Sequence, residues 1–185
     1  LGVQALPQEL EASVRRTVRH LQSNTARVSV EAARVEGNRL HVDVVLENLA
    51  GHKLPTAYPS RRTWIHFTVY DRKGELVFES GAFQPDGSIP GNKNDADSDR
   101  YEPHYTEITC SDQVQVYEAI MVGLQDEVTT GLLTAVRFIK DNRLLPRGFD
   151  KATADEDIAV QGRAAEDADF RGGSDRVRYT VDVAG

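Results

Sequence analysis

Residues 27–46 read Arg27-Val-Ser-Val-Glu-Ala-Ala-Arg-Val-Glu-Gly-Asn-Arg-Leu-His-Val-Asp-Val-Val-Leu46. Val28, Val30 and Ala32 alternate with Ser29, Glu31 and Ala33. After the turn formers Glu36-Gly37-Asn38, Leu40, Val42, Val44 and Leu46 alternate with His41, Asp43, Val45 and Glu47. A period of two with one apolar face marks a half-buried antiparallel hairpin. Upstream the period is that of a helix. Leu10, Val14, Val18 and Leu21 form one stripe, Pro7 suits a first turn, and Glu9 and Glu11 complement the N-terminal dipole. A helix is expected over residues 7–24, with Arg15, Arg16 and Arg19 on its solvated face. Residues 1–25 are therefore a helix and linker, and residues 26–185 the main domain.

Downstream, strands recur without helices between them. Trp64 to Tyr70, the turn Asp71-Arg-Lys-Gly74, and Glu75 to Ser80 make a second hairpin. In it Ile65, Phe67 and Val69 form one face, and His66 shares the other with aromatic residues. Val114, Val116, Ile120 and Val122 mark another strand, with Glu118 breaking its apolar face. Leu132–Lys140 is open between strand and short helix, with Val136, Phe138 and Ile139 favouring strand; Ile158 and Val160 mark a short strand, and Val177, Tyr179, Val181 and Val183 the last. The expected fold is an antiparallel, immunoglobulin-like β-sandwich of about seven or eight strands with an N-terminal α-helix.

Composition narrows the function. The chain has 185 residues, 28% of them charged, and a formal net charge of -7, which disfavours a nucleic-acid surface. No apolar run approaches the roughly 20 residues of a membrane span. The single cysteine, Cys110, permits no internal disulfide, and with no His or Lys beside it reads as a small, half-buried residue rather than a nucleophile. No nucleophile–base pair, phosphate loop or dinucleotide fingerprint appears, so no catalysis is expected.

Three groups are candidates for binding. Asp95, Asp97 and Asp99 alternate in the long irregular stretch 81–109, a pattern that suits a hard cation such as Ca²⁺. The glycine and glutamate of an EF-hand loop are missing, however: Arg100 and Thr106 stand in their places. Trp64, Tyr58 and Tyr101 could form an aromatic platform for a sugar, the basis of an alternative reading as a secreted, calcium-stabilised carbohydrate- or ligand-binding sandwich. His52 lies in a loop shaped by Gly51, Pro55 and Pro59, with Arg61 and Arg62 following.

That loop carries a resemblance. Asn48-Leu-Ala-Gly-His-Lys-Leu-Pro-Thr56, followed by Arg61-Arg-Thr-Trp-Ile-His66, resembles a motif of bacterial multihaem c-type cytochromes. In them a Gly-His-x-x-Pro-Thr segment opens a haem-free, β-rich C-terminal domain. Asp141-Asn-Arg-Leu-Leu-Pro-Arg-Gly-Phe-Asp150 and Asp169-Phe-Arg-Gly-Gly-Ser-Asp-Arg-Val-Arg-Tyr179 look like the same group. The covalent haem motif Cys-x-x-Cys-His is missing here, so the resemblance implies haem c in a preceding region of the parent protein. It also implies a periplasmic or extracellular setting, an electron-transfer context, and two partners: the haem-bearing domain and a redox protein. His52 is then a candidate distal ligand to a haem of the neighbouring domain.

Overall fold

In the computed structural model, which describes residues 4–56, 58–129 and 131–183, Pro7–His20 forms α1. The Glu9 carboxylate accepts the Leu6 backbone N–H at 2.8 Å, satisfying one donor at the helix start. The helix runs on into a π turn, Leu21–Thr25, where the Thr25 hydroxyl donates to the His20 carbonyl. The apolar stripe is present, yet no residue of α1 is buried, and Leu10, Val14 and Val18 are 49%, 62% and 45% exposed.

The hairpin is β1 (Ala26–Glu36) and β2 (Arg39–Asn48), joined at Gly37, whose φ of 60° suits glycine. Three strands follow, β3 (Thr63–Trp64), β4 (Phe67–Tyr70) and β5 (Leu76–Ser80), and then a short helix, α2 (Lys93–Ala96). β6 (Glu107–Ile108), β7 (Val116–Tyr117), β8 (Ala119–Val122), β9 (Val128–Thr129), β10 (Arg137–Asp141) and β11 (Ser174–Asp182) complete the chain. The first sheet has the order β1-β2-β11-β6, antiparallel except at the short β11–β6 pair. The others are β10-β8-β9, β3-β7 and β4-β5, all antiparallel. The protein is mainly β with one substantial N-terminal helix. Four of its eleven described strands are only two residues long, which accounts for the smaller number expected from periodicity.

Register fixes the inner face of the first sheet. Leu40, Val42, Val44 and Leu46 of β2 stand opposite Val181, Tyr179, Val177 and Asp175 of β11. They also face Val35, Ala33, Val30 and Val28 of β1. The register shifts between Val30 and Ala32, so Ala33, not Ala32, joins the apolar face: one extra residue reverses the alternation. Val42, Val44, Leu46, Val177 and Tyr179 are buried against Tyr117, Leu144, Leu145 and Phe170, and Tyr179 stacks on Phe67 at 4.0 Å. Each such large side chain contributes roughly 1.5–3 kcal/mol by leaving water. The core ends at β2, however. Val28, Val30 and Val35 are 66%, 60% and 63% exposed, an inner face that no described residue covers.

The opposite face of the sheet is charged. Arg178 bonds Asp43 through two nitrogens, at 2.7 and 3.1 Å, and Arg176 pairs with Glu31. His41 lies on this face as expected, but is half-buried, its Nδ1 3.0 Å from the Thr180 hydroxyl.

Other expectations change. The strand expected across Val114–Val122 is broken at Glu118, because that side chain is buried against Lys140. Only the second half of the apolar run after Leu132 is strand, and Leu133 is fully exposed. Residues 156–158 form a 3-10 turn in place of the short strand expected near Ile158 and Val160. Cys110 is exposed rather than half-buried.

Candidate functional site

The three segments that carry the cytochrome resemblance meet in space. Asn48 is fully buried, and its amide donates to the His52 carbonyl at 2.8 Å and the Leu144 carbonyl at 3.0 Å. Its own N–H donates to the Gly173 carbonyl, and Gly173 N–H donates to Leu145. Leu54 and Leu144 exchange backbone hydrogen bonds. Lys53 reaches across to the second segment, donating to Asp141 Oδ2 at 2.7 Å and the Ile158 carbonyl at 2.8 Å, with its ammonium over the Phe149 ring. Burial lowers the Lys53 pKa, and Asp141 only partly restores it.

This scaffold presents His52 at the surface. Its Nδ1 lies 2.9 Å from the Lys53 carbonyl oxygen. A carbonyl only accepts, so the ring proton sits on Nδ1 and Nε2 carries the lone pair. A histidine tied in this way through one nitrogen has the other in the form that binds a metal.

A second cluster lies inside the domain. His104, Asp167 and Asp175 are buried, and one potential ligand atom from each falls within 4.8 Å of the others. His104 Nε2 is 3.0 Å from Asp167 Oδ2 and 3.9 Å from Asp175 Oδ2. Tyr117 donates its hydroxyl to Asp175 Oδ2 at 2.6 Å, and the Arg176 N–H donates to Oδ1. Burial raises the Asp175 pKa, although His104 and Tyr117 oppose it. Burial would raise Asp167 too, but the His104 ring and the Asp169 and Phe170 backbone outweigh it, leaving the carboxyl below its usual range.

Protein groups decide what this cluster can hold. His104 Nδ1 faces two amides, Gln115 Nε2 at 2.8 Å and Asn142 Nδ2 at 3.1 Å. Neither can be turned around. Gln115 Oε1 accepts the Tyr105 N–H, while Asn142 accepts from the Glu118 N–H and donates to the Val116 carbonyl. Both amides therefore point N–H groups at Nδ1, which must accept, and the proton lies on Nε2, donated to Asp167. A metal on Nε2 would move that proton to Nδ1, against two donors. Metal-bound histidines instead donate from their second nitrogen. The trio does not fit a metal; it is a closed hydrogen-bond network that fixes the core.

Lys140 and Glu118 form a second buried pair at 2.8 Å, and Lys140 also donates to the Val116 carbonyl. Burial lowers the Lys140 pKa, with Glu118 opposing the shift.

The residues proposed for calcium do not converge. The Asp95 carboxylate is held by Arg62 at 2.5 Å and by the Ile89 N–H at 2.8 Å. Asp97 caps the Asp99 N–H. Among the described residues the only trio of possible ligands is the buried one above. Nor do the three aromatic residues form one platform. Trp64 packs on Ile89, Val114 and Val116 with its N–H on the Gly81 carbonyl, Tyr58 is exposed, and Tyr101 lines a separate cleft. His66, exposed in the link between β3 and β4, bonds Glu79 at 2.8 Å.

In the sequence His104 stands with His52 and His66 as scattered histidines, and Asp167 is one member of an acidic tail over 155–169; Gln115, Asn142 and Asp175 do not stand out as site residues. One signal was available: Gln115, Glu118 and Asp175 interrupt runs otherwise apolar or strictly alternating. Comparison of the chain with protein-family models, with curated proteins and with solved structures finds no match.

Proposed function

We propose that the chain is a non-catalytic β domain of an extracytoplasmic multihaem c-type cytochrome, where it packs on the haem-bearing part and supports electron transfer. The observation that carries the reading is the uncovered apolar surface at its N-terminal end. The stripe of α1 and the inner face of β1 have the composition of a core, and among the described residues no layer lies over them. Such a surface is what a domain buries against a neighbour, and stays costly until it does so.

His52 favours a haem-bearing neighbour. Its Nδ1 proton is engaged by its own chain, its Nε2 lone pair is available, and its loop is anchored through Asn48 and Lys53. A covalently held haem supplies one-electron chemistry through its iron. This chain's part is to present an imidazole at fixed height, and to shield a haem edge from water.

The test uses the parent protein. His52→Ala should change the haem absorption spectrum and slow reduction. Val14→Lys and Val30→Lys, both at exposed positions, should leave the fold intact and speed amide exchange along β1. If spectrum, kinetics and exchange all match the unmodified protein, the reading fails.

A further inference from the structure

We propose that the cleft between α2 and the 3-10 turn Gly162–Ala165 is a binding site for a small multivalent oxyanion, a dicarboxylate or a phosphate. The cleft has a volume of about 490 Å³, and its walls include Lys93, Arg100, Tyr101, His104 and Arg163. That is enough room for a metabolite-sized ligand.

Its charges are arranged for an anion. Among the described residues, Lys93, His104 and Lys140 on the wall have protein partners, but the guanidinium groups of Arg100 and Arg163 make no ion pair and no hydrogen bond. Each has a planar fork that matches a carboxylate or phosphate edge. Lys93 adds an ammonium 3.3 Å from Glu102, a carboxylate that also takes the Tyr105 hydroxyl at 2.6 Å. Its charge is thus matched within the protein while donors remain free. Asp99 is the one further carboxylate on the wall, so the two arginines leave one positive charge in excess.

Both arginines stand on fixed backbone. The Arg100 carbonyl accepts from Asn94 Nδ2 at 2.9 Å, and its N–H donates to Asp97. Arg163 follows Gly162, whose φ of 78° and close approach to the Ile139 carbonyl hold the turn against β10, and precedes the buried Ala164. Fixed anchor points spare a ligand the cost of ordering the backbone, though not of ordering the side chains. His104 lends its edge but no donor, since its Nε2 proton is committed to Asp167.

The experiment is calorimetric titration of the purified chain with inorganic phosphate and, separately, with succinate, at constant ionic strength set with sodium chloride. Saturable binding of one probe is expected, and its identity distinguishes the phosphate from the dicarboxylate. Arg100→Ala and Arg163→Ala should each weaken it by about tenfold or more, the scale of losing a charge-assisted hydrogen bond. Arg163→Lys, which keeps the charge but not the fork, should fall between. Both side chains are exposed, so the variants should melt as the parent does. Absence of saturable binding for both probes overturns the proposal, as does binding unchanged in the Arg100→Ala/Arg163→Ala double variant.

Discussion

Gln115 Nε2 stands 2.8 Å from His104 Nδ1, and the same amide accepts the Tyr105 backbone N–H through Oε1. One side chain thereby sets the tautomer of a histidine and satisfies a buried backbone donor. Gln115→Leu should cost about 2–4 kcal/mol in urea denaturation, because it strands the Tyr105 N–H and removes a donor to Nδ1. Nitrogen NMR of the unmodified protein should show the His104 proton on Nε2. A proton on Nδ1 would contradict the assigned network.

The Lys140–Glu118 pair makes a sharper claim about coupling. Lys140→Met leaves the Glu118 carboxylate buried without its cation, which should cost roughly 3–5 kcal/mol. Adding Glu118→Leu to that variant should recover much of the loss, since the apolar pair no longer desolvates a charge. Additive losses in the double-mutant cycle would show that the two groups act independently.

Gly172 and Gly51 should respond in opposite ways to alanine. A Cβ on Gly172 would lie 2.4 Å from the Phe149 carbonyl oxygen, where only backbone could yield. Gly172→Ala is therefore expected to destabilise by about 1–3 kcal/mol. A Cβ on Gly51 meets nothing within 4 Å, and its φ is not left-handed. Gly51→Ala should be neutral or stabilise by up to about 1 kcal/mol, through the unfolded chain. Thermal melts of the two variants side by side decide the point.

Asp167 and Asp175 impose opposite pH dependences. The folded pKa of Asp167 is depressed, so its contribution is present above the ordinary value of 3.8 and is lost as pH falls through the folded value. That of Asp175 is raised, so its contribution is present below 3.8 and is lost as pH rises through the folded value. Asp175→Asn should therefore gain on the parent as pH rises from about 3 to 7, whereas Asp167→Asn should lose ground over the same span. Urea midpoints across that range measure both; parallel curves for all three proteins would refute the assignment.

Much of the frame could be read from residue order. The 28–46 hairpin was legible because its alternation continues on both sides of a turn at Gly37. The second hairpin was legible from Phe67 onward because the Asp71 carboxylate takes the Lys73 and Glu75 N–H groups, ordinary turn chemistry, whereas Trp64, expected in the same strand, pairs instead with Val116 in another sheet. The bulge at Glu31 was hidden, since Ala32 and Ala33 are equally small. The buried network was hidden for another reason. Its hydrogen-bonded side chains lie 11 to 63 residues apart in the chain, and a polar side chain in a strand reads as outward-facing until a partner is seen. Asp175 illustrates this: it occupies an inner-face position in register with Leu46.

The two margins of the first sheet differ in a way that bears on stoichiometry. At one side β6 offers only Glu107 and Ile108, while at the other β1 exposes an edge eleven residues long. A strand two residues long is a poor template for pairing, and a long one is a good template. Through this sheet, two copies joined edge to edge therefore pair β1 against β1. That contact consumes the long margin of both, so association of this kind stops at two chains and cannot grow into a filament.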